Sequence, residues 1–306
     1  MAAISLLEAS KLMPEGPKRA IVQIFAESTH FLSVCPFIEA PRGYVDWSME
    51  DTLGTVASRA VGADYTADNG TFAPFKATAA ILGGKVQVDR AVRKVQPEAV
   101  SEMKANKIRS MAIQITKQAF EGQGAANIKG ISKWVSADYT GQFVDMAGAV
   151  ITMAKMDALV DLNNQVAGSS YLYMTQTPFN ALNTLSRTNG TGMQNIVYAQ
   201  GDFGARTPFY GGIPIIIMKK GDGTDILSVV ESTGIGGAHT GGSLTSVYAV
   251  TYGPSLFHGF QVGNMDVLND ADNTNFENFL IEWIAGVAPK TKRSIARMHD
   301  VKNALT

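Results

Sequence analysis

Residues 42–95 read RGYVDWSMEDTLGTVASRAVGADYTADNGTFAPFKATAAILGGKVQVDRAVRKV. Tyr44, Val45 and Trp47 begin a β-like run, which Thr52 to Ala60 continues. Gly62 to Gly70 is loop-like, with a turn signal at Asn69-Gly70. Thr78 to Val92 returns as a second run, with Lys85, Gln87 and Asp89 alternating against Val86, Val88 and Arg90. The segment reads as one two-stranded excursion of roughly fifty residues. A free-standing hairpin is marginal in water and its edges are open to pairing. Something must support this one, either the chain's own body or a neighbouring copy.

On the C-terminal side, Pro97 opens the clearest helix, which runs to about Phe120 and stops at Gly122-Gln-Gly124. Proline suits a first helical turn because its missing N–H has no partner there. Glu98 and Glu102 sit near the positive end of the helix and Lys117 near the negative end. Val100, Met103, Ile108, Met111, Ile115 and Ala119 form one stripe. On the N-terminal side, Ile4, Leu6, Leu7 and Leu12 form an apolar cluster broken by Pro14-Glu-Gly-Pro17. A short helix from about Lys18 to Thr29 follows.

From Gly141 the texture changes. Phe143 to Asp161 reads as an amphipathic helix and Tyr171 to Met174 as a strand. Thr177-Pro178 opens a helix to about Arg187. Ile196 to Ala199, Ile213 to Met218, Ile226 to Val230 and Val247 to Tyr252 read as short strands between Gly-rich loops. Residues 256–290 return to β patterning. This mixture predicts an α+β fold with a central sheet.

The chain has 306 residues, 45% apolar and 17% charged, with a formal charge of -1. That balance supports a large core and argues against a dedicated nucleic-acid binder, which carries a basic excess. One cysteine, Cys35, excludes an internal disulfide framework and a Cys-rich zinc site. The start carries Glu8 and no basic run, and no apolar stretch approaches the ~20 residues of a membrane helix. A soluble, cytoplasmically made protein with no membrane contact is expected.

No enzyme constellation emerges. His30, His239, His258 and His299 lie far apart, without a second ligand at zinc-motif spacing. Asp270-Ala-Asp272 starts like a calcium loop, but Asn275 and Ile281 occupy the positions that need glycine and glutamate. Gly84-Lys85 lacks the upstream glycine of a phosphate loop, and Gly234-Ile-Gly236-Gly237 lacks the dinucleotide fingerprint. Gly241-Gly-Ser243-Leu-Thr245 lacks the last glycine of a nucleophile elbow. Cys35, ahead of Pro36 in an apolar context, reads as a packed thiol. No catalytic residue, cofactor or metal ligand is expected.

Charge is segregated within the near-neutral chain. Residues 85–109 hold seven bases and three acids, and residues 264–282 hold five acids and no bases. Such patches predict complementary surfaces between copies.

The order of parts resembles the major capsid proteins of tailed phages with the HK97-type fold. Arg42 to Val95 resembles the extended loop, Pro97 to Phe120 the spine helix, and Gly141 to about Thr251 the axial domain. Within the last, Tyr171-Leu-Tyr-Met-Thr-Gln-Thr-Pro178-Phe179, Gly211-Gly-Ile-Pro214-Ile-Ile-Ile217 and Ser246-Val-Tyr-Ala-Val-Thr-Tyr252 follow the family's habit. The resemblance implies an N-terminal arm (1–41), an extended β-hairpin loop (42–95), a peripheral domain with the spine helix (96–140) and an axial domain (141–252). Residues 253–306 would return to the peripheral domain and end the chain.

It further implies hexamers and pentamers tiling an icosahedral shell around phage DNA, with no catalytic turnover. The extended loop and arm would lie on adjacent copies, which answers the question of what supports the hairpin. Leu6, Leu7 and Leu12 in the arm and Arg42, Tyr44, Trp47, Arg59, Phe72 and Phe75 in the loop are the expected inter-subunit contacts. Met1 lies only some forty residues ahead of the loop, so a separate scaffolding protein, or none, is expected. A portal, possible decoration proteins and weak, salt-sensitive contact with the packaged DNA complete the implied partners. The implied location is the virion, after synthesis in the host cytoplasm. An encapsulin-type compartment shell is the rival on the same fold. A small hydrolytic or ligand-binding α/β protein using the loops at 234–243 is the rival of another class.

Overall fold

A computed structural model of the chain describes residues 4–5, 29–65, 69–96, 98–163, 168–188, 196–200, 206–230, 242–270 and 275–304. In chain order the first elements are β1 (Ile4–Ser5), α1 (His30–Val34), β2 (Pro36–Glu39), β3 (Tyr44–Thr52), β4 (Thr71–Thr78) and β5 (Ala80–Asp89). Helices α2 (Arg90–Val95), α3 (Glu98–Glu121) and α4 (Ile131–Ala137) follow. Next come β6 (Phe143–Asp145), α5 (Met153–Leu162), β7 (Ser169–Met174) and α6 (Gln176–Thr188). The chain continues through β8 (Ile196–Gln200), β9 (Arg206–Tyr210), β10 (Ile213–Ile217) and β11 (Leu244–Tyr252). It ends with β12 (Phe257–Gln261), β13 (Asp266–Asp270), β14 (Phe276–Pro289) and β15 (Ile295–Lys302).

One sheet of 13 strands runs through the molecule, with the order β1-β2-β12-β11-β7-β10-β9-β8 along its main path. β14 joins through β12 and carries β13 and β5, while β15 pairs with β11 and β6. The central strands are buried on both faces, and their alternation divides two cores. Tyr173, Tyr248 and Val250 point into the first, with α1, α3 and α4, whereas Leu172, Met174, Val247 and Ala249 point into the second, with α5 and α6. A period of two along each strand is what places neighbours on opposite faces.

Helix α3, 24 residues and about 36 Å long, is the spine of the first core. Ile108, Met111, Ala112, Ile115 and Ala119 are buried, while Asn106, Arg109 and Gln114 face outward. Val100 is only half-buried and Met103 is exposed, so the apolar stripe takes hold from Ile108 onward. Pro97 lies outside the described residues. The helix ends where predicted: a Cβ on Gly122 would stand 2.1 Å from the Ile128 carbonyl oxygen and 2.5 Å from that of Gln118. Only a residue without a side chain fits that close approach.

Several sequence expectations are corrected. The excursion is shorter than the two runs suggest. β3 pairs with β4, from Tyr44↔Thr78 to Thr52↔Thr71, and residues 53–60 form no strand. The second run is instead β5, held by the body through an antiparallel register with β14 from Ala80↔Ala285 to Asp89↔Phe276. Its alternation explains this: Ala80, Leu82, Val86 and Val88 make a face that is buried, whereas Thr52 to Ala60 places its large apolar residues, Leu53 and Val56, three apart, with no alternating face. Asp89 ends the strand and caps α2 by accepting the Ala91 N–H at 2.7 Å.

The helix expected from Phe143 begins only at Met153. Phe143–Asp145 is a strand parallel to β15, and Ala147 and Gly148, both at positive φ, turn the chain before the helix. Ile226 to Val230 is not a strand. It is pinned instead by the buried Glu121, whose carboxylate accepts the backbone N–H and hydroxyl of Ser228. The basic and acidic segments meet inside one chain: Arg93 pairs with Glu277, and Lys104 lies 3.4 Å above the Phe279 ring. Residues 253–306 divide, because β12 and β14 pack in the first core while Ala296, Met298 and Val301 of β15 pack in the second. The helix expected over Lys18 to Thr29 lies almost wholly outside the described residues.

Candidate assembly surface

The β3–β4 hairpin leaves the body between Gly43, at φ +74°, and Ala79, whose N–H donates to the Gly43 carbonyl at 2.8 Å. Strand periodicity gives it two faces. Val45, Trp47, Met49 and Phe75 turn toward the body, and Asp46, Ser48, Glu50 and Lys76 turn outward. The inner face carries a ring cluster. Trp47 stacks with Phe75 at 6.0 Å and meets Trp134 of α4 at 5.5 Å, while Phe75 meets Tyr139 edge-on at 5.4 Å. Aromatic pairs at such separations contribute about 0.5–1.5 kcal/mol each beyond area burial. Tyr139 donates its hydroxyl proton to the Pro289 carbonyl, and burial pushes its pKa well up. Lys129 stands 3.7 Å over Trp134 and pairs with Asp138 at 2.7 Å.

Beyond this root the hairpin runs into water. The hydroxyls of Thr52 and Thr71 bond at 2.7 Å across its end. Past them, Val56 and Val61 are fully exposed and Leu53 is 77% exposed; on the body side of that bond Phe72, opposite Glu50, is 68% exposed. Full burial of such side chains stabilises by about 1.5–3 kcal/mol each, so the tip carries unspent association energy at the end of a braced lever. Exposed apolar side chains gathered on one projection mark an interaction surface.

The expected contact residues separate on this geometry. Phe72 lies on the exposed outer face of β4, opposite Glu50, and Arg42 is exposed at the turn into β3. Arg59 is exposed too; it donates to the Ala63 carbonyl at 2.8 Å, with its guanidinium 5.3 Å from the Tyr65 ring centre. Tyr44 is half-buried beneath Lys76, whose ammonium stands 3.9 Å over the ring. Trp47 and Phe75 engage their own chain, as anchors of the hairpin. Leu6, Leu7 and Leu12 lie outside the described residues; the nearby pair Ile4–Ser5 adds to the chain's own β2, with Ile4 opposite Phe37. Sequence reading missed Trp134 and Tyr139, more than fifty residues downstream, and the tip residues Leu53, Val56, Val61 and Tyr65. The latter were legible as apolar residues in a stretch otherwise small and polar.

A second exposed surface lies at β8, the last strand of the sheet path. Val197 and Tyr198 are exposed there, beside a cavity of about 560 Å³ lined by Asp157, Phe209 and Tyr210. The root of the N-terminal segment is tied down by Thr29 to Thr116 at 2.8 Å and by His30 Nδ1 to the Tyr173 hydroxyl at 3.2 Å. Burial lowers the His30 pKa. Cys35 is fully buried and burial raises its thiol pKa, so it is no nucleophile. His258 is buried in β12, while His239 and Gly234 to Gly241 lie outside the described residues. One grouping was invisible to motif spacing: Asp145, His299 and Asp300 converge. Among the described residues, no helix is long and apolar enough to cross a membrane.

Comparison with known proteins agrees with this architecture. The model of the phage capsid family matches residues 11–210. A comparison with curated protein sequences gives no match. Among solved structures, the SrpI encapsulin complex of Synechococcus elongatus PCC 7942 is similar at a TM-score of 0.66 and 12% identity, covering 89% of this chain and 87% of that one. The capsid of cyanophage A-1(L) is similar at 0.58 and 11% identity, covering 88% and 91%. A structure from Mycobacterium phage Ogopogo is similar at 0.57 and 13% identity, covering 90% and 91%.

Proposed function

The chain belongs to the phage capsid family and is a structural capsid protein of the HK97-type α+β fold, and from that premise we propose that it assembles as hexamers and pentamers into an icosahedral shell around double-stranded DNA. The supporting observation is the hairpin: a root of four rings and a tip whose Leu53, Val56 and Val61 side chains are exposed to solvent. In the proposed shell the tip lies on an adjacent copy, with Phe72, Arg59 and Arg42 at the contact. The arm with Leu6, Leu7 and Leu12 reaches along a neighbour. Trp47 and Phe75 set the angle of the lever, and Tyr44 stiffens its base. Rotational closure around an axis gives capsomers, and related contacts between capsomers give the shell. Residues 42–78 then act as the clamp, the first core as the peripheral platform, and the second core as the part that meets around capsomer axes. Proposed partners are a separate scaffolding protein, a portal, decoration proteins and the DNA, the last through weak, salt-sensitive contacts. Synthesis in the host cytoplasm belongs to the same proposal.

The similarity to an encapsulin supports a second reading, a compartment shell that carries a protein cargo. Negative-stain electron microscopy of the purified protein, followed by nucleic-acid assay of nuclease-treated particles from phage-producing cells, separates the two. Closed particles that protect double-stranded DNA are expected. Particles holding a co-purifying protein and no DNA would favour the compartment, and a monomer or dimer under all conditions would refute both.

A further inference from the structure

We propose that Asp145, His299 and Asp300 form a binding site for one divalent cation of the zinc or manganese class. The site lies where β6 runs parallel to β15, with His299 opposite Asp145 in register. One ligand atom of each residue lies within 4.8 Å of the other two. An ion with bonds of about 2.0–2.6 Å holds its ligand atoms about 3–5 Å apart.

In a regular strand, residues 299 and 300 would point to opposite faces. At Asp300 the backbone turns left-handed, φ +55°, in a residue that has a Cβ. This brings its carboxylate to its neighbour's ring: Asp300 Oδ2 is 3.1 Å from His299 Nδ1, and Asp145 Oδ1 is 3.8 Å from the same nitrogen. A hydrogen-bonded His–Asp pair accounts for two of the three groups. Asp145 Oδ1, which accepts the Ala147 N–H, stands beyond hydrogen-bond reach of the ring, at a distance that a shared ion would bridge.

Burial supports a built site. Asp300 is fully buried and His299 is only 6% exposed, with its Nδ1 within 4 Å of an oxygen of each carboxylate. Asp145 is partly open, which leaves a path from solvent. The frame is rigid. The Met146 N–H donates to the His299 carbonyl at 3.1 Å, the Gly148 N–H to the Asp300 carbonyl at 3.0 Å, and the Ala147 N–H to Asp145 Oδ1 at 2.7 Å. The Phe143 ring, 5.2 Å from that of His299, walls one side. One imidazole nitrogen with two carboxylate oxygens suits zinc or manganese better than the all-oxygen shells of calcium and magnesium. The bound ion would tie the last strand of the chain to residues 145–149 and stiffen the second core.

The test uses the full-length protein, stripped with chelator and titrated calorimetrically with zinc chloride or manganese chloride alone, with melting followed in parallel. One ion per chain and a metal-dependent rise in Tm are expected. Asp145→Asn, at a partly exposed position, should keep the Tm measured in chelator and weaken binding by about 10-fold or more. His299→Asn should do the same to binding. Absence of saturable binding to either metal, or unchanged binding in both variants, would overturn the site.

Discussion

His258 shows what a single buried side chain implies for the whole. Its ring is fully buried in β12, opposite Ala288 and near Lys290, and burial together with that ammonium lowers its pKa from 6.5 to about 4. The unfolded chain therefore takes up a proton before the folded one does. Above about pH 7 both states hold neutral imidazole and the residue adds no pH dependence. Between pH 6.5 and 4 the unfolded state binds more protons and stability falls as pH drops; below 4 the loss is complete. A shift of this size corresponds to about 3 kcal/mol. Urea titrations of unassembled protein from pH 7 to 4 should show the loss, and His258→Leu should remove that share of it. An equal pH slope in the variant would contradict the assignment. Asp300 makes a related point about a single backbone angle, since its left-handed φ carries a carboxylate across to a neighbouring ring that strand alternation would keep away.

Helices and strands here do separate jobs that can be tested separately. The β3–β4 hairpin has a root that belongs to the fold and a tip that does not. Trp47→Ala should destabilise the unassembled subunit by about 2 kcal/mol, less than the 3–5 expected for a fully buried tryptophan, because the ring is only partly buried. Replacing residues 53–65 with a short Gly-Ser turn should leave Tm and circular dichroism unchanged and abolish closed particles. Intact particles from that deletion would remove the tip from the assembly surface. A large fall in Tm would show that it belongs to the body after all. The strand β5 carries the complementary lesson. Its alternation was legible from Val86 and Val88, but its partner β14 lies almost two hundred residues away, and pairing at that range leaves no local mark.

At the level of the complete subunit, one sheet separates two cores and both depend on it. β7 and β11 give alternate side chains to each, so neither core survives loss of those strands. The unassembled chain should unfold in a single transition. Trp47, Trp134 and Trp283 all belong to the first core, so tryptophan fluorescence follows that core alone, while far-UV circular dichroism follows both. Coincident urea curves are expected; fluorescence lost well before ellipticity would show independently stable halves. The charge segregation belongs here as well. Arg93 and Glu277 meet within one chain, so part of the complementarity of the two segments is satisfied inside the subunit.

Periodicity, caps and turn residues in the sequence were enough to place helix α3 and its stop at Gly122, the strands read at 171–174, 196–199, 213–218 (observed to end at Ile217) and 247–252, and the mixed α+β class. The order of those parts was enough to suggest the family. Local signals reach only a few residues along the chain. They could not show that 143–145 would be drawn into a strand by β15, or that 226–230 would be held by Glu121 instead of a ladder. Nor could they show that Trp47 and Phe75 would pack against Trp134 and Tyr139, or that Asp145 would meet His299 and Asp300. Those outcomes were decided by tertiary structure. Each depends on a contact between distant segments, formed only once the sheet has brought them together and their burial outweighs the entropy of ordering them.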